Sequence, residues 1–280
     1  MTALDELLTD GFVRFPDILP SDLLTRLRQV TDDLLKEQDE AVRAAVRSQG
    51  SMIGTMAHPL FAELIALPAA LDTLKQMGFS DPTFSDGYII SKPAHSPRLF
   101  WHYDWFAWDD PRSYEPLPPQ LFFMYYMTDT TRENGCLRAI PGSHLHHNAL
   151  HDLLGEPHSR NLGQAVDTTS PEFSDRPDEV DVPVKAGDLL IGDARLLHAA
   201  HANETNAHRT LITLWYQPEL ETLPEPMQAQ MAKKTRSIPA DWPAEARSLL
   251  SPMLASSRYN GDAQPQVRTL YRPREAKTAQ

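Results

Sequence analysis

The stretch EVDVPVKAGDLLIGDARLLHAAHANETNAHRTLITLWYQP, residues 179–218, decides the fold. Its apolar runs are short, rich in Val, Ile and Leu, and interrupted by glycines and by a polar segment around residues 202–207. Runs of that length suit strands, and a polar loop between two of them predicts an antiparallel hairpin. His198 ends the incoming strand and Arg209 begins the returning one. The same texture recurs upstream in TFSDGYIISKP, RLFWHYDWFAW, QLFFMYYMTD and GCLRAIPGSH, each bounded by Pro, Gly, Asp or Asn. The reading is a mainly β protein, an antiparallel sandwich or barrel, preceded by helices. Those helices are a short one over Ala3–Asp10 stopped by Gly11, a long one capped by Ser21, and a patch near Pro59–Met77. In the long helix Leu23, Leu24, Leu27, Val30, Leu34 and Leu35 recur at helical spacing and read as core. Residues 144–179 look like a long polar loop. The part after residue 217 holds 8 of the 24 prolines and reads as an extension that wraps the core, ending in a basic tail over Arg272–Gln280. The expected organisation is one domain, 1–280: a helical part (1–80), a β core (81–217) and a Pro-rich C-terminal extension (218–280).

Composition removes several classes of function. Acidic residues outnumber basic ones 38 to 26, giving a net charge of -12, which argues against a nucleic-acid binder. One cysteine, Cys136, excludes an intrachain disulfide and points to a reducing compartment, the cytoplasm. No apolar run approaches the roughly 18 residues of a membrane span. The acidic, amphipathic start MTALDELLTDG is unlike a signal peptide. The oligomeric state is not legible.

Histidine carries the chemical lead. His102 and Asp104 form a His-x-Asp pair, and residues two apart on a strand share a face, so both side chains reach one metal from one side. Alone the pattern is weak, because composition supplies roughly one such pair by chance. Its setting strengthens it: a carboxylate inside an aromatic strand needs a cation or several donors. A buried His–Asp hydrogen bond, or an Asp facing solvent at the strand end, fits the same pattern. Arg209, Leu211, Thr213 and Trp215 share one face of the returning strand. If that face is inward, Arg209 is a guanidinium in a β core, where it needs an anion such as a bidentate carboxylate. If outward, it snorkels to water. Two His and one Asp on a β scaffold make the facial triad of non-haem Fe(II) oxygenases, with open positions for a chelating 2-oxo acid and O2. Paired cysteines of a structural zinc site are missing.

The sequence resembles the phytanoyl-CoA dioxygenase family of Fe(II)/2-oxoglutarate-dependent oxygenases. The resemblance rests on the opening DGFVRFPDILPSDLLTRLR, on WHYDW, on TRENGCLRAIPGSH and on AGDLLIGDARLLHAAHANETNAHRTL, and covers roughly residues 10–217. It implies a double-stranded β-helix core of the jelly-roll, cupin-like kind with flanking helices. It implies iron held by His102, Asp104 and His198, and 2-oxoglutarate held by Arg209. The reaction it implies turns 2-oxoglutarate and O2 into succinate and CO2 while a small-molecule substrate is hydroxylated or otherwise oxidised. Because Asp104 is present, a halide in its place, as in halogenases of this chemistry, is not expected.

The sequence departs from the family where Ala199, Ala200 and His201 replace a usual Gly-Ser-Gly. The hydroxyl beside the co-substrate is therefore missing at Ala200, and Thr213 is a candidate to replace it. His201 competes with His198 as a ligand; the eleven-residue spacing to Arg209 favours His198, leaving His201 on the substrate side. Residues 100–126 hold 11 of the 23 aromatic residues, so an apolar or ring-bearing substrate is expected, with Trp105 and Trp108 as its first candidate contacts. Cys136 reads as a small buried hydrophobe. His144, His146, His147, His151 and His158 read as solvated loop residues. Two alternatives stay open: a cupin-like metalloenzyme that does not use 2-oxoglutarate, and a catalytically inactive binding module.

Overall fold

The computed structural model describes residues 1–156, 160–165 and 167–273. His158 and most of the basic tail lie outside the described residues. The strands are β1 (Phe12–Phe15), β2 (Ile53–Gly54), β3 (Thr83–Lys92), β4 (Leu99–His102), β5 (Leu121–Tyr126), β6 (Leu137–Ala139), β7 (Val180–Val182), β8 (Leu189–Asp193), β9 (His198–Ala200) and β10 (Arg209–Gln217). They form a six-stranded sheet, β1-β8-β5-β10-β3-β2, and a four-stranded sheet, β4-β9-β6-β7. All pairings within these sheets are antiparallel. This is the jelly-roll core with flanking helices that the sequence predicts, built as two sheets rather than a closed barrel.

The central strands read as continuous apolar runs because both of their faces are covered. In β5, Phe122, Met124 and Tyr126 pack toward the small sheet with Leu137, Ala139 and Val182. The alternate residues Leu121, Phe123 and Tyr125 join the helical side with Leu27, Phe61, Leu64 and Leu74. The alternation repeats in β10, where Ile212, Leu214 and Tyr216 enter the helical core. Arg209, Leu211, Thr213 and Trp215 take the other face. The inward reading of that face therefore holds.

The helices are α1 (Ala3–Asp10), α2 (Ser21–Glu37), α3 (Glu40–Ala45), α4 (Leu60–Ile65), α5 (Pro68–Gln76), α6 (Arg160–Gly163), α7 (Glu225–Lys234), α8 (Ala244–Leu250) and α9 (Ala255–Arg258). α1 stops at Gly11, whose φ of 88° a residue with a side chain adopts only with strain. Ser21 is not a cap: Pro20 takes that place, and Ser21 is already helical. The patch near Pro59–Met77 is two helices, because Pro68 cannot continue α4 and instead opens α5.

Two segments taken for periphery are structural. In the loop after β6, His144 and His151 are buried rather than solvated. His144 bonds the Leu8 carbonyl at 3.1 Å, and the His151 ring stacks on Tyr271 at 4.0 Å. In the extension, α7 packs on β3 and α9, and α8 packs on α4. Beyond α9 the chain crosses the aromatic segment that follows β4. There the Thr269 amide donates to the Phe106 carbonyl at 2.7 Å, and the Tyr271 amide to the Tyr103 hydroxyl at 2.9 Å.

Candidate active site

A cavity of about 610 Å³ lies against the inner face of β10 and is lined by His102, Asp104, His198, Arg209 and Thr213, among others. His102 ends β4, His198 begins β9, and the two are direct cross-strand partners. Their ring centroids are 4.2 Å apart. In each residue Nδ1 lies 3.0 Å from the carbonyl two residues earlier, that of Phe100 or Leu196. A carbonyl only accepts, so Nδ1 carries the proton in both rings, and Nε2 is the lone-pair nitrogen.

Asp104 follows where the chain leaves the sheet. Its amide and that of Trp105 both donate to the Ala194 carbonyl at 2.8 Å, which fixes the bend. The carboxylate then sits with Oδ1 3.7 Å from His102 Nε2 and Oδ2 4.0 Å from His198 Nε2. The Trp215 indole donates to Oδ2 at 2.8 Å. One ligand atom from each of the three residues lies within 4.8 Å of the others. Metal–ligand bonds of about 2.0–2.2 Å let two ligands of one ion stand as far as ~4 Å apart, so both carboxylate–imidazole separations suit a shared ion.

Arg209 opens β10 and is 3% exposed. Its Nε and Nη1 are buried without a hydrogen-bond partner. Burial lowers its pKa from the ordinary guanidinium value. Its cross-strand partner is another cation, Lys92, which donates to the Ser48 and Pro97 carbonyls. Burial, and then Arg209, push the Lys92 ammonium well below the usual lysine range. A buried guanidinium with idle N–H groups facing a cavity defines a place for an anion. Thr213, four residues along the same face, has a buried Oγ1 that is also unpartnered. Ala200 lines the cavity and offers no hydroxyl.

The structure parts with the sequence reading at three side chains. His201 is three residues past His198, so it takes the opposite face of the strand. Its Nε2 sits 2.6 Å from Asp181 Oδ1, in a separate cluster with Cys136. Trp105 and Trp108 do not line the cavity. The bend at Asp104 carries both into an aromatic cluster packed by Met227 and Met231 of the extension. There the Trp105 indole donates to Ser113 Oγ at 2.7 Å, and Trp108 meets Tyr103 and Tyr271 edge-on. The cavity wall takes its rings from Tyr88, Tyr126 and Trp215 instead. Trp215 was legible as a neighbour of Arg209 at an even offset.

The sequence reading missed the cations contributed by the extension: Lys234, Arg236 and Arg268. Lys234 Nζ lies 4.8 Å from the centroid of the Phe106 ring. Burial and then Arg268 lower its pKa to about 8, against the opposing pull of Asp104 and Asp86. Nothing in a Pro-rich segment with patchy helical signals tells which of its basic residues turn inward.

Fold and site define a jelly-roll protein whose cavity carries a two-histidine, one-carboxylate cluster able to hold a metal ion. The phytanoyl-CoA dioxygenase (PhyH) family model matches residues 7–211, and the chain belongs to that family. The chain is 27% identical over 158 residues to a phytanoyl-CoA dioxygenase of Arabidopsis thaliana, covering 56% of this chain and 52% of the relative. It is 28% identical over 218 residues to an ectoine dioxygenase of Halomonas elongata, covering 71% of this chain and 64% of the relative. The chain thus spans between half and two-thirds of the length of these relatives. Among solved structures it is similar in fold to the alpha-ketoglutarate-dependent carbocyclase SnoK from nogalamycin biosynthesis, with a TM-score of 0.58, 22% identity, and 76% and 82% of the two chains covered. It is likewise similar to EctD from S. alaskensis, solved with 2-oxoglutarate and 5-hydroxyectoine, with a TM-score of 0.55, 20% identity, and 78% and 76% covered.

Proposed function

We propose that this chain is an Fe(II)- and 2-oxoglutarate-dependent dioxygenase that oxidises an unactivated C–H bond of a small, ring-bearing metabolite. The observation that carries the reading is Arg209: a buried guanidinium with unpartnered donors, in the same cavity as the His102–Asp104–His198 cluster. A cupin-like metalloenzyme without a 2-oxo acid leaves that cation without a use. In this reading Nε2 of His102, Nε2 of His198 and the Asp104 carboxylate would hold the iron. The Trp215 indole donates to Oδ2 at 2.8 Å and so orients the carboxylate in the cavity. Arg209 takes the distal carboxylate of 2-oxoglutarate, and Thr213 donates to it in place of the hydroxyl absent at Ala200. Bound together, iron, 2-oxoglutarate and O2 supply the oxidising power, with succinate and CO2 as co-products. Ile90, Leu99, Met124 and Leu211 give the cavity an apolar wall.

Family membership and its relatives' names support this reading, as does the donor set. The cavity and the net charge of -12 support a small molecule rather than a nucleic acid as substrate. The single buried thiol suits the cytoplasm. No helix among the described residues is long and apolar enough to cross a membrane. The test is incubation of the purified chain with Fe(II), O2 and labelled 2-oxoglutarate, with labelled succinate as readout. Succinate that requires added Fe(II) is the expected result. Stoichiometric iron without succinate turns the assignment to a metalloenzyme of another kind, and no bound iron turns it to an inactive binding module.

A further inference from the structure

The cations of the cavity outnumber what the proposed chemistry uses. Arg209, Lys234, Arg236 and Arg268 line it, against the carboxylates Asp86 and Asp104. On the dioxygenase reading, Arg209 is taken by the co-substrate and Asp104 by the metal. Arg236 has its own neighbours: its Nε lies 3.9 Å from Asp86 Oδ1, and its Nη2 donates to the Tyr88 hydroxyl at 2.9 Å. Arg268 Nε stands 3.8 Å from Glu156, a carboxylate whose side chain is 65% exposed and therefore well screened. Lys234 has no carboxylate within ion-pair distance among the described residues, only the face of Phe106. A chain with a net charge of -12 thus turns a local positive surplus toward its proposed metal site.

The two spare cations are held in place. Arg268 Nη1 and Nη2 reach the carbonyls of Trp105 and Asp104, each at 3.5 Å, so its guanidinium sits against the metal-ligand bend. The strand-like segment that carries it is pinned on both sides: the Gln266 amide donates to the Pro226 carbonyl at 2.8 Å, and the Thr269 amide to the Phe106 carbonyl at 2.7 Å. Pro226 belongs to α7, the helix that ends in Lys234. One hydrogen-bonded unit therefore carries both charges. The same cavity is lined by the apolar and aromatic groups Tyr88, Ile90, Leu99 and Trp215.

Resting on the dioxygenase reading, we propose that the substrate is an anionic amphipath, an apolar or ring-bearing body with one carboxylate or phosphate, and that Lys234 and Arg268 bind its anionic group. That contact fixes the body across the cavity and so selects which C–H bond faces the metal. Lys234 and Arg268 are specificity-determining residues in this assignment, distinct from the groups that hold iron and 2-oxoglutarate.

The experiment uses the full chain with Fe(II) and saturating 2-oxoglutarate under anaerobic conditions, titrated by calorimetry with 2-naphthoate, 2-naphthyl phosphate and 2-naphthamide. One of the two anions is expected to bind about tenfold or more tightly than the neutral amide, as a charge-assisted contact predicts. The tighter of the two identifies the anionic group. Lys234→Met and Arg268→Met are each expected to remove that preference while amide binding stays within about twofold, and Lys234→Arg to keep it. The proposal is overturned if acid and amide bind alike, if no probe binds, if the preference survives both Met variants, or if the anions bind only by displacing 2-oxoglutarate. Succinate formation by the same preparation in air separates the two failures. Succinate without an anion preference sinks this assignment alone, and absence of succinate sinks the dioxygenase reading itself.

Discussion

Among the described residues, two groups of three potential metal ligands bring histidine and aspartate together, with ligand atoms within 4.8 Å: His102–Asp104–His198, and Cys136–Asp181–His201. They lie on opposite faces of the same short strand β9 and its continuation. In the first, both imidazoles spend Nδ1 on a backbone carbonyl and turn Nε2 toward a cavity. In the second, His201 already bonds Asp181 at 2.6 Å, and Asp181 also receives Arg132 at 3.1 Å. Burial pushes the Cys136 thiol up to about 11, so it stays protonated and a poor ligand. Neither His201 nor Cys136 lines the cavity. Residue types alone make the clusters look alike. What separates them is that His201 and Asp181 are already bonded to each other, and that the cavity lies beside the first cluster and not the second.

The sharpest way to break that comparison is to remove one member from each cluster. Asp104→Ala or His198→Ala is expected to abolish stoichiometric iron and cut succinate formation by more than about 100-fold, since even outer-shell partners of a metal cost 10–100-fold. Cys136→Ser and His201→Ala are expected to keep iron and turnover, with His201→Ala less stable by about 0.5–1.5 kcal/mol for the lost hydrogen bond to Asp181, which keeps Arg132 and solvent. Metal analysis and thermal unfolding read both; iron lost from the second pair would erase the distinction.

A smaller effect is expected at the anion end of the cavity. Arg209→Ala should raise the 2-oxoglutarate concentration needed for half-maximal succinate formation by about 10–100-fold, the value of a charge-assisted hydrogen bond. An unchanged requirement would mean that the buried guanidinium serves the fold alone. Smallest is Trp215→Phe, which keeps the ring but takes the indole N–H from Asp104 Oδ2. Iron affinity should fall by about tenfold, measured by competition with a chelator. Full retention would show that the carboxylate is oriented by its backbone bend without help from β10.

The β core was legible because strand periodicity and turn residues are local properties. The His-x-Asp pair and the shared face of Arg209, Thr213 and Trp215 follow from the same period of two. That period also argues against His201, three residues from His198, although the family spacing to Arg209 was the stronger guide. Trp105 looked like a cavity residue because it sits one place past a ligand. It is not, since two amides converging on the Ala194 carbonyl turn the chain away from the sheet there. Such a bend depends on a carbonyl 90 residues further along, which no local pattern reports.

The sequence by itself determined the layered β architecture, because strand periods and turn residues are short-range properties, and its resemblance to the family singled out His102, Asp104 and His198 as the candidate metal-holding residues. Tertiary structure alone decided which side chains face the cavity, which histidine is already spent, and that the Pro-rich extension carries Lys234 and Arg268 to the site. Burial and hydrogen-bond satisfaction are set by contacts between segments far apart in the chain, and the overall charge of -12 conceals the local surplus of cations those contacts create.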